Sequence, residues 1–214
     1  RYVLSNNSGT VNITENASII AKAGDIALDS CKFGSYAIPN VTIDTDGKII
    51  GKLEVTGGNL NIQKGAFTDL ANAVKYANDG AIIKLAENTE GAGIFLAKGE
   101  KEITIDLNEK TYTVNEAVGS SGTETQAIHL EQGNTVTLQN GTITSAEGSK
   151  VKMLVQNYSN LTLGENMVLD GTSLSGTGRY VLSNNSCTVN ITENASIIAK
   201  GGDIALDSCK FGSY

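Results

Sequence analysis

The side chains with chemistry to offer are few and scattered. His129 is the single histidine of the 214-residue chain, and Cys31, Cys187 and Cys209 are its three cysteines. A hydrolytic triad needs a nucleophile, a base and an orienting acid in one place, and zinc takes three or four ligands. One histidine supplies neither. His129 alternates with Ile128 and Leu130, so it is expected on the solvent side of a strand whose other side faces a core. Lytic cleavage of an acidic glycan needs clustered carboxylates to hold Ca²⁺ and a basic residue to take a proton. Glu131, Glu165, Asp170 and Asp207 stand in different phrases with no Lys or Arg at matching places, which reads as a solvated acidic face. The glycine stretches TGGN (56–59), EGAG (90–93) and GSSGT (119–123) lack the spacing of a phosphate cradle and open no helix. They are expected as loops, with 115–125 the longest excursion and the best contact loop. No catalytic, cofactor-binding or metal-binding residue is assigned on this basis, and the thiols of Cys31, Cys187 and Cys209 are the residues of chemical interest.

The elements that must position these residues are written twice. Residues 1–36, RYVLSNNSGTVNITENASIIAKAGDIALDSCKFGSY, recur at 179–214 with two changes, Gly9 to Cys187 and Ala23 to Gly201. Cys31 and Cys209 therefore occupy one position in two copies and are expected as small buried residues. Cys187 has no cysteine counterpart. Its expected Cα separation from Cys209, two residues along and one layer across, is roughly 8 Å, beyond disulfide reach. Free thiols within one chain, or a bridge only between molecules, follow.

Shorter phrases also repeat. GNTVTLQNGTIT (133–144), SNLTLGENMVL (159–169), CTVNITENASII (187–198) and NVTIDTDGKII (40–50) each carry an alternating apolar pair, a polar turn and a second apolar group. Alternation at period two is the mark of a strand with one buried face. The turns QNG, GEN, TEN and TDG supply Asn, Asp or Gly where positive φ is needed. A second phrase aligns on Leu130, Leu154, Leu182 and Leu206, at intervals of 24, 28 and 24 residues. In that alignment Asn157, Asn185 and Asn7 share one place and are expected to stack as a ladder at a corner. A unit of this size with several short strands cannot bury its apolar face alone, and stacking on its neighbours does so.

AFTDLANAVKYAND (66–79) differs in kind. Leu70, Ala73, Val74 and Ala77 fall at helical spacing, which predicts one short amphipathic helix suited to closing the apolar end of a stack. Helix and coil phrases such as VNITENASIIA and LTLGENMVLDG together resemble the right-handed parallel β-helix proteins, the pectin-lyase-like group, and among them the bacterial cell-surface and secreted domains. The resemblance implies an all-β, right-handed parallel β-helix with one short capping α-helix placed first. It also implies an extracellular or cell-surface location. Ordered that way, residues 1–65 are the C-terminal coils of one unit, and residues 66–214 are the capping helix with the N-terminal and central coils of a unit. A window across a tandem array, or an engineered permutant carrying a duplicated segment, would both produce the matching ends. The chain starts at Arg1 and is expected to be an excised or engineered segment.

Composition narrows the partners. A net charge of −7 offers nothing to a nucleic-acid backbone or an anionic membrane. No apolar run approaches the roughly 18 residues of a membrane span, so neither nucleic acid nor membrane insertion is expected, and no cofactor is. The leading expectation is a non-catalytic surface or scaffold module that touches a glycan or protein and forms homo-oligomers through its duplicated ends. The alternatives are a polysaccharide lyase or hydrolase of the pectin-lyase-like group and an engineered scaffold for assembly or switching.

Overall fold

Strands of three to five residues are too short to hold alone, so the alternating phrases must find partners in neighbouring phrases. In the computed structural model they do, through parallel pairing. The structure describes residues 79–85 and 88–208, the helix α1 (Leu70–Tyr76), and eight short strands before it. Those strands are β1 (Tyr2–Ser5), β2 (Val11–Ile13), β3 (Ser18–Ile20), β4 (Ile26–Asp29), β5 (Val41–Ile43), β6 (Lys48–Ile50), β7 (Lys52–Glu54) and β8 (Leu60–Ile62). After the helix come β9 (Ala81–Lys84), β10 (Thr89–Ala92), β11 (Ile94–Leu96), β12 (Glu102–Glu116), β13 (Gln126–Leu130), β14 (Thr135–Ser145) and β15 (Met153–Asn157). The chain continues through β16 (Asn160–Leu163), β17 (Met167–Asp170), β18 (Tyr180–Asn184), β19 (Val189–Ile191), β20 (Ser196–Ile198) and β21 (Ile204–Asp207).

The molecule is a parallel β-solenoid with almost no helix, as its phrases imply. One face is the 5-stranded sheet β11-β13-β15-β18-β21. A second column runs β9, β12, β14, β16, β19, and a third runs β10, β12, β14, β17, β20; β12 and β14 are long because each turns a corner and serves both. The corner residues carry the left-handed backbone that the turn phrases predict: Asn108 and Glu109 in β12, Asn140 in β14 and Asn166 before β17 have φ of 51°, 63°, 57° and 53°. The TEN turn at 192–194 turns without a positive φ, and TDG at 45–47 lies outside the described residues.

Register follows the apolar pairs. Val136 stacks on Leu161 and Leu161 on Val189; Leu138 stacks on Leu163 and Leu163 on Ile191. As far as Leu161 and Leu163 these inward columns, with Ile103, Ile105, Ile128, Val155, Leu169 and Leu182, form one continuous buried core; Val189 packs against it half-buried and Ile191 is exposed. Each fully buried Leu or Ile is worth about 1.5–3 kcal/mol relative to exposure. The leucine alignment of the other phrase needs correcting. Leu182 and Leu206 do stack, but Leu182 sits on Val155 and Val155 on Ile128, while Leu130 faces Asn157. The strands β13, β15 and β18 are buried on both faces at several positions, so neither leucine identity nor alternation marks their register.

EGAG (90–93) is likewise not a loop. Glu90–Ala92 belong to β10, where Gly91 makes room for the buried ring of Tyr112, whose hydroxyl donates to Ala92 O at 2.6 Å. A Cβ at Gly91 would lie 2.8 Å from that hydroxyl. Helix α1 buries Leu70, Ala73 and Val74 and packs on β9, β10 and β11, the first coil after it. It is the predicted cap, shorter than 66–79; Ala77 lies outside the described residues.

Before the helix, β1-β4-β7, β2-β5-β8 and β3-β6 form three small parallel sheets with the same three-column logic. Tyr2 pairs Ile26 and Leu4 pairs Leu28; in the second copy Tyr180 pairs Ile204 and Leu182 pairs Leu206. Both copies form the same coil in the same register.

Candidate functional site

Two places gather side chains or surface beyond what the core requires. One is a column on the β11–β13–β15 face. Phe95 pairs with His129 across β11 and β13, and the His129 ring lies 5.2 Å from Phe95 and 5.8 Å from Tyr158 by ring centroid. Its Nε2 is 2.8 Å from Glu131 Oε1, within hydrogen-bond distance. The alternation argument puts His129 on the outer side of the strand, and there it is. Exposure is where the expectation fails: His129 is only 2% exposed, because Phe95 and Tyr158 flank it in the stack.

Glu131 is thus drawn to His129, whereas Asp170 is occupied with its own turn, accepting from Thr172 N at 3.0 Å and Thr172 Oγ1 at 2.7 Å. Glu165 is exposed beside the Asn166 corner. Asp207 stands on β21, in register with Ser183. The four carboxylates do not converge, and among the described residues no three His, Cys, Asp or Glu side chains cluster. Burial lowers the pKa of Lys101 at the turn before β12, and the backbone N of Lys101 donates to Asn134 Oδ1.

The expected ladder of Asn157, Asn185 and Asn7 is replaced by a pair, Asn157 with Asn184. Buried Asn157 donates from Nδ2 to Asn184 Oδ1 at 2.8 Å and to Ser159 O at 2.8 Å, and its Oδ1 accepts from Ser159 N at 3.0 Å. Asn184, in place of the expected Asn185, is its stacked neighbour. Asn185 instead donates its backbone N to Asn157 O. Asn7 lies outside the described residues. The loop after β12 is tied at its base by paired backbone bonds between Val118 and Gln126, and residues 171–179 make an excursion of equal length that alternation did not reveal.

The second place is the last coil. Among the described residues β19, β20 and β21 each pair on one side only, with β16, β17 and β18. Ile191, Ile204 and Leu206 stand on the inward columns yet are 44%, 45% and 41% exposed, and Ile198 is 43% exposed. One layer back, Leu163 and Leu182 are fully buried. The apolar interior of the solenoid therefore surfaces at this end, rimmed by three free strand edges, an arrangement that accepts another parallel coil.

Cys187 lies beside this edge, at the turn into β19, exposed and with a free thiol. Its φ of 65° is a left-handed conformation, natural to the glycine found at position 9 and unfavourable to cysteine. Cys31 and Cys209 lie outside the described residues. Among the described residues no helix is long and apolar enough to cross a membrane. No family model, curated protein or solved structure matches the chain.

Proposed function

We propose that this protein is a non-catalytic β-solenoid module of a bacterial surface or secreted scaffold, which holds a glycan along one lateral face and associates with itself through its ends. The observation that carries the lateral reading is a field of stacked threonines. Thr104, Thr137 and Thr162 form one outward row; Thr111 with Thr142 and Thr113 with Thr144 form two more on the adjoining face. Parallel in-register stacking repeats each hydroxyl at roughly 4.8 Å. Side chains of two rotatable bonds on a fixed lattice lose little entropy on meeting a polyol chain; each hydroxyl oxygen can accept, and all but that of Thr144, which donates to Asp170 O, can also donate. The surface location rests on the resemblance of the coil phrases to bacterial surface β-helices.

Retention on insoluble polysaccharides tests this, together with polymer length after incubation with polygalacturonate and alginate. Binding that falls on changing Thr137 and Thr162 to Glu, with polymer length unchanged, is the expected result. Reproducible depolymerisation lost on changing a single carboxylate would replace the scaffold by a lyase or hydrolase.

A further inference from the structure

We infer that the open last coil is a docking site for β5, β6 and β7, within residues 41–54, of a second copy of this chain, which pair on β19, β20 and β21 in the register those strands already show on β2, β3 and β4. The inference rests on the self-association part of the scaffold reading and names its contact.

The occupant is identified by an interface the chain already contains. Residues 11–29 and 189–207 are the same sequence but for Ala23 and Gly201. On the first copy, β5 seats on β2 with Val41 beside Val11 and Ile43 beside Ile13. β6 seats on β3 with Lys48 beside Ser18 and Ile50 beside Ile20, and β7 seats on β4 with Lys52 beside Ile26. The second copy shows the same strands in the same order, and among the described residues no strand pairs on that side. Transferring the register puts Val41 of the incoming molecule beside Val189, Ile43 beside Ile191 and Ile50 beside Ile198.

Exchange conserves contacts. The incoming residues 41–54 leave their own residues 11–29 and meet an almost identical partner, so the number of coil–coil interfaces is unchanged. The apolar cover gained at Ile191, Ile204 and Leu206 matches the cover given up at the equivalent positions of residues 11–29, so what favours exchange is the chain entropy that the displaced residues 1–36 recover, about 1 kcal/mol or more per residue, set against the loss of their remaining contacts. Each molecule has one such site and one such donor segment on different surfaces. The contact is therefore heterologous, and it extends head to tail.

Cross-linking tests the register in the full-length chain with Cys31, Cys187 and Cys209 changed to Ser. Asn190 is exposed at the centre of β19, and its equivalent Asn12 pairs with Thr42. A protein carrying Asn190→Cys is mixed with one carrying Thr42→Cys, and separately with one carrying Asn12→Cys. Paired parallel positions lie within disulfide reach, so the first mixture should give disulfide-linked dimer in about tenfold excess over the second. A single chain carrying both Asn12→Cys and Thr42→Cys should close internally, which shows that the donor coil is folded and its thiols competent. Equal or greater yield from the Asn190→Cys with Asn12→Cys mixture means that the ends abut without exchange. That would overturn the inference and leave self-association standing, as would a mass that rises with concentration while neither mixture cross-links. Closure within a monomer carrying Asn190→Cys and Thr42→Cys would make the chain its own occupant and also overturn it. A protein that stays monomeric at millimolar concentration with no cross-link in any mixture removes both readings.

Discussion

Val3 and Val181 are the same residue of the same repeated phrase, yet Val3 is 55% exposed and Val181 is fully buried. Leu4 and Leu182 differ the same way, one half-buried and the other buried. Nothing in the local sequence separates them. Both copies fold their strands with identical internal register. What differs is the neighbour: β18 has β15 beneath it and residues 171–179 against its outer side, where Gly171 and Leu174 close on Val181. The first copy has its neighbour on the opposite side, in β5, β6 and β7. In a solenoid, local sequence fixes the coil and the adjacent coil fixes how much that coil is worth.

The sharpest way to break the comparison is to remove the same side chain from different layers. Leu182→Ala opens a cavity between Val155 and Leu206 and should cost about 2–5 kcal/mol. Leu206→Ala removes a side chain already 41% exposed and should cost about 1 kcal/mol or less. Urea unfolding of the two variants, at a concentration low enough to keep the chain monomeric, measures the gap. Equal losses would mean that the last coil is covered in solution, and the contrast between layers would be lost.

A step smaller is the corner. Asn157→Ala strands Ser159 N and Asn184 Oδ1, both of which depend on the buried amide. The expected loss is about 1–3 kcal/mol. Gly171→Ala belongs to the same range, since its Cβ would lie 2.4 Å from Val181 Cγ2 and would push residues 171–179 off the valine. Within residues 1–214 the segment 171–178 occurs once, so the change has no counterpart beside Val3. Hydrogen exchange at Val181 should rise in Gly171→Ala; unchanged protection there would show that these residues are not what buries it.

Much of this was legible in the residues. The pairs Val136/Leu138, Leu161/Leu163 and Val189/Ile191 stack as their alternation implies, because one face of those strands is wet and the period of two survives. The helix was legible for a similar reason: Leu70, Ala73 and Val74 share one buried stripe. Register in β13, β15 and β18 was not, since apolar residues on both faces erase the alternation that would reveal it. His129 was placed on the correct side and given the wrong exposure, because its cover comes from Phe95 and Tyr158, 34 and 29 positions away in the chain. The open end could be suspected from the matching termini, but the exposure of Ile191, Ile204 and Leu206 depends on layers that no single phrase encodes.

The two positions at which the copies differ sharpen the comparison further, because each is an experiment already performed on one copy. At Cys187 the backbone has φ of 65°, a left-handed conformation that costs a residue with a Cβ roughly 1–2 kcal/mol. Position 9 holds glycine. Cys187→Gly relieves that strain and gives back part of it through the freer unfolded chain. A net gain of about 1 kcal/mol is expected, read as a higher urea midpoint with unchanged slope. A loss would mean that the exposed thiol makes a stabilising contact in solution.

The smallest effect is at the other difference. Gly201 stands where the first copy has Ala23, and a Cβ built on Gly201 meets nothing within 4 Å. Its neighbour Gly202 has φ of 88° and Gly201 has no such positive value, so only Gly202 needs glycine for its backbone. Alanine at 201 should therefore cost nothing in the folded state and restrict the unfolded chain, a gain of about half a kcal/mol. The sign matters more than the size, because the open site of the last coil lies directly beyond the turn that holds Gly201, between β20 and β21. If β5, β6 and β7 of a second copy pack there, the added methyl restores the residue that the first copy carries at position 23, and association is unchanged. Gly201→Ala that stabilises the monomer while weakening association would show that the two copies present different surfaces to residues 41–54, and the equivalence on which the comparison rests would fail at that turn.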